Sequence, residues 1–159
     1  MSQPWILVDG YSVLHFWPRL RQLAGRSLET QRAALIHLLQ QYGDATDCRV
    51  TVVFDGYAAK HKPDKAEPTS GLEVFFSDAG KTADDVIERL VATADRPGNI
   101  RVVTSDNLER RTVEMLGAQS VSTELFEVDV TAALGALDRL VREYSRARRL
   151  HPLRSHFTD

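Results

Sequence analysis

Short apolar runs that end at an acidic or small polar residue recur along the chain. The first is Trp-Ile-Leu-Val at residues 5–8, followed by Asp9-Gly10. Three further runs occupy residues 50–54 before Asp55, 72–76 before Ser77-Asp78, and 100–104 before Ser105-Asp106. Runs of this length that are rich in β-branched residues are typical of strands buried on both faces. The pattern therefore predicts four strands, the first of them ended by a turn at Asp9-Gly10.

Segments with helical periodicity separate these strands. Apolar residues recur every three or four positions within residues 29–42, 83–94 and 108–116. Thr82 is a suitable N-cap for the second of these helices, and Gly117 is a suitable stop for the third. A short fifth strand at residues 119–121 and a last helix at about residues 125–146 complete the prediction.

Alternating strands and helices determine the expected architecture. Parallel strands require right-handed crossover connections, and these crossovers place helices on both faces of the sheet. We therefore predict a Rossmann-like three-layer α/β/α fold with a mostly parallel central sheet. The length of 159 residues suits a single domain, which we assign to residues 1–150, with 151–159 as a basic C-terminal tail.

Composition narrows the class of protein. The net charge of −2 gives no general attraction to a polyanion, so contacts with nucleic acid must come from local basic patches. The single cysteine, Cys48, excludes an intramolecular disulfide and a zinc site built from several cysteines. We find neither a signal peptide nor an apolar segment of membrane-spanning length, so a soluble, cytoplasmic protein is expected.

Several aspartates are predicted to meet at one edge of the sheet. In open α/β sheets, ligands bind outside the carboxyl ends of the strands, where Asp9, Asp55 and Asp106 lie. Asp84 and Asp85, at the start of the helix after the third strand, can lean over the same edge. Clustered carboxylates repel one another unless a cation lies among them. Oxygen ligands without a Cys or His cluster favour Mg²⁺ or Mn²⁺, and such ions promote attack of water on a phosphodiester.

Each of these residues also has a purely structural interpretation. Asp before Gly, as at Asp9 and Asp55, is common in turns, whereas Asp84 and Asp85 suit the first turn of a helix and Asp106 suits a helix cap. No GxGxxG or GxxxxGK[ST] motif is present, so no nucleotide cofactor is expected.

Five blocks of sequence, in order, resemble the YacP-like NYN domain family. They are Ile6 to His15, Val52 to Asp55, Gly71 to Phe76, Lys81 to Glu88 and Val102 to Asp106. The resemblance implies a PIN-like fold and a metal-dependent endoribonuclease. It also implies catalytic roles for Asp9, Asp84, Asp85 and Asp106, with Asp9, Asp84 and Asp106 as metal ligands. Asp55 and Ser105 would be supporting residues of the site.

Ser12 departs from the family pattern, which has asparagine at this position. A hydroxyl reaches less far than an amide, which offers both donor and acceptor atoms. Ser12 and Ser105 are expected to hold water or phosphate by hydrogen bonds, together with amides at the start of the helix after Ser105. The alternative to an active enzyme is therefore a catalytically weak or inactive NYN-type RNA-binding module.

RNA, free or within a ribonucleoprotein, is the expected partner. Candidate phosphate contacts are Lys60 and Lys62 in the segment 57–71, and Arg148 and Arg149 near the C-terminus. A solvated helix end is the structural alternative for these arginines, and an acidic protein partner is a third possibility for the basic tail. Phe16 and Trp17 are candidates for stacking on bases, although core packing is the favoured role for Phe16. The RNA target, the number of metal ions and the oligomeric state are left open.

Overall fold

A computed structural model describes residues 3–56 and 72–150 of the chain. Its centre is a five-stranded sheet in the order β3-β2-β1-β4-β5, and every neighbouring pair of strands is parallel. The strands are β1 (Trp5–Asp9), β2 (Arg49–Phe54), β3 (Leu72–Phe76), β4 (Ile100–Val103) and β5 (Gln119–Val121). The predicted Rossmann-like parallel sheet is confirmed, including its short fifth strand.

Helices cover both faces of this sheet. They are α1 (Gly10–Phe16), α2 (Pro18–Arg21), α3 (Leu28–Thr46), α4 (Ala83–Ala92), α5 (Asn107–Met115) and α6 (Thr123–Leu150), and a 3₁₀ turn at Pro97–Asn99 precedes β4. Alternation along β1 assigns its side chains to the two layers. Ile6 and Val8 belong to the core beneath α1, α3 and α6, whereas Leu7 belongs to the core beneath α4 and α5. Asp9 continues the alternation of Leu7 and lies on the α4 and α5 side.

The first connection differs from the sequence-based prediction. The turn predicted at Asp9-Gly10 is wrong, because α1 begins directly at Gly10. A Cβ atom at Gly10 would clash with the Phe54 ring, so glycine allows α1 to start against the end of β2. Strand β1 therefore delivers Asp9 straight into the junction with a helix.

The last helix is longer than predicted. It runs from Thr123 to Leu150, and every residue from 136 to 150 is exposed. Phe126 and Val130 anchor its first half in the core. No helix in residues 3–56 and 72–150 has both the length and the apolar composition to cross a membrane.

Candidate metal centre

Three carboxylates converge at the carboxyl edge of the sheet. Oxygen atoms of Asp9, Asp84 and Glu109 all lie within 4.8 Å of one another. Asp9 ends β1, whereas Asp84 and Glu109 lie in the first turns of α4 and α5. The strand order reverses between β1 and β4, which is where open α/β sheets bind their ligands. We refer to Asp9, Asp84 and Glu109 as the acidic centre.

Glu109 is the member of the acidic centre that was not predicted from the sequence. Glu109 is 2% exposed, and its Oε2 accepts a hydrogen bond from Oγ1 of Thr104 at 3.0 Å. Its Oε1 is buried and has no hydrogen-bond partner in the described part of the chain. The available signal was its spacing of four residues from Val113, which is fully buried against the sheet. A glutamate in the first turn of a helix is so common that this spacing alone does not mark a site.

Burial and mutual repulsion dominate the electrostatics of the acidic centre. Burial raises the pKa of Glu109 to about 10, with the Asp84 and Asp9 carboxylates adding to the effect. Burial also raises the pKa of Asp9; the Asp84 charge acts in the same direction, and hydrogen bonds from Ser12 and Thr104 oppose it. Without a cation, the acidic centre therefore retains a proton at neutral pH, held mainly on Glu109.

The donor atoms of the acidic centre fit a hard divalent cation. All three side chains offer carboxylate oxygens, which suit Mg²⁺ or Mn²⁺ better than zinc. The unpartnered Oε1 of Glu109 is a buried acceptor that a cation would satisfy. Asp9 and Glu109 are buried and Asp84 is partly exposed, so the acidic centre reaches solvent at Asp84.

Ser12 connects the two chain segments on either side of the acidic centre. Its hydroxyl donates to Oδ2 of Asp9 at 2.8 Å and accepts from the amide and the hydroxyl of Ser105, at 3.2 and 3.0 Å. Thr104 lies beside them, with its Oγ1 3.3 Å from the same Asp9 oxygen. Ser12 therefore orients Asp9, and the amide of Ser105 is already engaged within the protein.

Asp106 lies next to the acidic centre but is not one of its three members. It is the N-cap of α5, and its Oδ1 accepts from the amides of Leu108 and Glu109 at 2.9 and 3.4 Å. The amide of Asp106 donates to Oγ1 of Thr104. These amides, which we expected to receive a phosphate, are therefore already engaged within the protein, two by the cap and one by Thr104.

Asp85, which was predicted to be catalytic together with its neighbour Asp84, is not a member of the acidic centre. It forms a capping box with Thr82, with bonds of 2.9 Å from the Thr82 amide and 3.2 Å to the Thr82 hydroxyl. The hydrogen bond from the Thr82 backbone, more than any other interaction, lowers the pKa of Asp85. The structure thus separates two adjacent carboxylates, one in the acidic centre and one in a helix cap.

Asp55 follows β2, which neighbours β1 on the side away from β4, and its Oδ1 accepts a hydrogen bond from the Ser77 hydroxyl at 3.3 Å. Arg148 and Arg149 are exposed in the last turn of α6. Lys60, Lys62 and the tail 151–159 lie outside the described residues.

The exposure of Phe16 and Trp17 is the reverse of what was expected. The favoured interpretation of Phe16 as a core residue is wrong, because it is 50% exposed. Trp17 is buried, and its Nε1 donates to the Thr123 carbonyl at 2.8 Å, so it is a core residue rather than a surface for stacking.

The chain is similar to known proteins in both sequence and structure. The model of the YacP-like NYN domain matches residues 6–157. A protein of Bacillus subtilis (strain 168) described as uncharacterized protein YacP is 33% identical over 139 residues, which cover 87% of this chain and 81% of that protein. The crystal structure of Rae1 (YacP) from Bacillus subtilis has a TM-score of 0.79 at 32% identity, covering 94% of this chain and 85% of that one. A mutant of the same protein gives 0.77 at 31% identity, covering 91% and 85%.

Proposed function

Because this chain belongs to the YacP-like NYN domain family, within the PIN-like nuclease superfamily, we propose that it is a metal-dependent endoribonuclease. The expected family and the Rossmann-like, PIN-like fold are both confirmed. The acidic centre is the observation that carries the proposal. It combines three carboxylates from three different elements at the ligand-binding edge of the sheet.

In the proposed mechanism, Asp9, Asp84 and Glu109 hold Mg²⁺ or Mn²⁺ through their carboxylate oxygens. When bound, the ion supplies a more acidic water and stabilises negative charge on the phosphodiester. The protein's own contribution is to fix the ligands. Ser12 holds Asp9 by a hydrogen bond, and the Asp106 cap holds the first turn of α5, which carries Glu109.

The contacts of Ser12 support an active enzyme over the RNA-binding module. Its hydroxyl makes three short hydrogen bonds that link Asp9 to Ser105 across the acidic centre. A serine therefore performs an orienting role at the position where the family has asparagine. Catalytic roles for Asp85 and Asp106, and Asp106 as a ligand, are less well supported, because their carboxylates serve helix caps.

RNA is the proposed substrate, free or within a ribonucleoprotein, in the cytoplasm. We propose that Asp55, Ser105, Lys60, Lys62, Arg148 and Arg149 help to position it. Arg148 and Arg149 are exposed and carry positive charge at the end of a helix that extends beyond the core. Such residues contribute contacts to phosphates that do not depend on base sequence.

The test is cleavage of end-labelled RNA by the purified protein with Mg²⁺ or Mn²⁺, with and without EDTA. We expect internal cuts that disappear with EDTA and in Asp9→Asn and Asp84→Asn. Asp85→Asn is the matched control, because it changes the adjacent carboxylate in the same helical turn but outside the acidic centre. Cuts that persist in Asp84→Asn would contradict the proposal. RNA binding that is salt-sensitive but produces no cuts would favour the RNA-binding module instead.

A further inference from the structure

Arg32 is a buried arginine at the same edge of the sheet, on the opposite face from α4 and α5. It lies in α3 and is 7% exposed. Its guanidinium carbon lies over the rings of Phe54 and Phe76, 5.9 and 5.6 Å from their centroids. These two phenylalanines end β2 and β3 and are partners in the strand register. Arg32 is therefore held at the carboxyl ends of these strands, over two aromatic rings.

The charge of Arg32 has no anionic partner in residues 3–56 and 72–150. Its Nε is buried without a hydrogen-bond acceptor. Arg49 pairs with Glu73 and Arg142 pairs with Asp138, and neither ion pair involves Arg32. Aromatic faces attract a cation but accept few of its five N–H donors. A buried guanidinium in this condition is incomplete without an anion.

The residues around Arg32 contact the segment of chain that follows Asp9 of the acidic centre. The ring of Phe54 beneath it packs against Gly10, which follows Asp9 in the chain. Tyr11 lies between them, with its ring centroid 5.8 Å from that of Phe54 and its hydroxyl 3.4 Å from the Asp55 carbonyl. Burial raises the pKa of Tyr11, the nearby Arg32 charge opposes this shift, and the Asp55 charge adds to it, so both charges lie within electrostatic range of the Tyr11 hydroxyl.

We propose that Arg32 forms a phosphate subsite that binds the RNA backbone beside the nucleotide held at the acidic centre, with Tyr11 adjacent to it. The inference rests on the proposed function for the identity of its ligand. A phosphodiester supplies paired oxygens for the planar guanidinium fork and a negative charge for a cation that has no anionic partner among the described residues. The carboxylates of the acidic centre repel the negatively charged RNA backbone. Arg32, which is separated from Gly10 by the Phe54 ring, is a fixed positive charge that offsets this repulsion where the backbone enters.

The experiment measures binding of a short fluorescent single-stranded RNA of mixed sequence in EDTA, which prevents cleavage, over a range of salt concentrations. Arg32→Met replaces the guanidinium with an apolar chain that packs well on aromatic rings. Arg49→Met is the matched control. Arg49 also stacks on an aromatic ring, 3.7 Å from the centroid of Trp5, but it lies at the start of β2, at the amino end of the strands.

Arg32→Met is expected to weaken RNA binding roughly tenfold. The slope of log affinity against log salt should fall by about 0.7, the value for one lost phosphate contact on a single strand. Arg32→Lys should keep the slope while losing part of the affinity, because it retains charge without the planar fork. Arg49→Met should leave both the affinity and the slope unchanged.

Thermal unfolding separates the subsite from a structural role. Because Arg32 is a buried charge without an ion-pair partner in the part of the chain that the structure describes, its removal should leave the melting temperature of Arg32→Met unchanged or raised. A lower melting temperature with an unchanged salt slope would overturn the proposal. It would also be overturned if inorganic phosphate protected the wild type but not Arg32→Met while their RNA affinities were equal.

Cleavage assays on the same variants distinguish the two proposals. If the wild type cleaves RNA with Mn²⁺ while Arg32→Met binds RNA normally, the nuclease stands and the subsite fails. If Arg32→Met loses affinity and salt slope but no variant cleaves, the subsite stands and the nuclease fails. A wild type that does not bind RNA contradicts both.

Discussion

Replacement of Glu109 by glutamine should change how the metal-free protein responds to pH. The pKa of Glu109 is raised from 4.5 to about 10 by burial and by the Asp84 and Asp9 carboxylates. Between these two values, the folded protein retains a proton that the unfolded chain has released. The free energy of unfolding therefore falls as pH rises through this window. Glutamine has similar size and no proton to lose, so Glu109→Gln should remove this part of the pH dependence.

The magnitude follows from one proton. Each pH unit within the window lowers the free energy of unfolding by up to about 1.4 kcal/mol. Between pH 6 and pH 8 the loss is up to about 2.7 kcal/mol, or roughly 5–10 °C in melting temperature for a chain of this size. Burial also raises the pKa of Asp9, so any contribution of Asp9 to the pH dependence has the same sign as that of Glu109.

The assay is urea denaturation of EDTA-treated protein at pH 6 and pH 8, for the wild type, Glu109→Gln and Glu124→Gln. Glu124 is an exposed first-turn glutamate of α6 and serves as the control. We expect the loss of stability in the wild type and Glu124→Gln to exceed that in Glu109→Gln. Parallel losses in all three proteins would refute the assignment of the proton to Glu109. Added Mg²⁺ should stabilise the wild type more at pH 8 than at pH 6, because binding releases this proton.

Three further substitutions test individual contacts. Asp106→Ala should cost about 1 kcal/mol in urea denaturation by removing the α5 cap, whereas Asp106→Asn should keep the cap; loss of cleavage in Asp106→Asn with unchanged stability would instead make it a ligand. Gly10→Ala should destabilise by about 1–3 kcal/mol in thermal unfolding, because its Cβ would meet the Phe54 ring; an unchanged melting temperature would show that the ring moves freely. Ser12→Ala should raise the pKa of Asp9 further and move the acidic limb of the pH–rate profile for cleavage to higher pH, since the Ser12 hydrogen bond lowers that pKa; an unmoved limb would show that Ser12 does not tune Asp9.

The sequence by itself determined the sheet and two members of the acidic centre. Apolar runs and helical periods are local signals, so they identified all five strands and placed Asp9 at the carboxyl end of β1. The cap at Thr82 could be predicted for the same reason, since its bonds lie within one helical turn. Once the crossovers are right-handed, these local elements leave few ways to assemble the sheet.

The tertiary structure decided which carboxylates meet. Asp106 and Glu109 lie three residues apart, yet the rotation of α5 against the sheet turns Glu109 towards Asp9 while Asp106 caps the helix. The start of α1 at Gly10 depends on a ring from β2, and the burial of Arg32 depends on rings from β2 and β3. Local periodicity specifies an element and its inward face, whereas contacts between different elements arise only when their packing fixes distance and rotation.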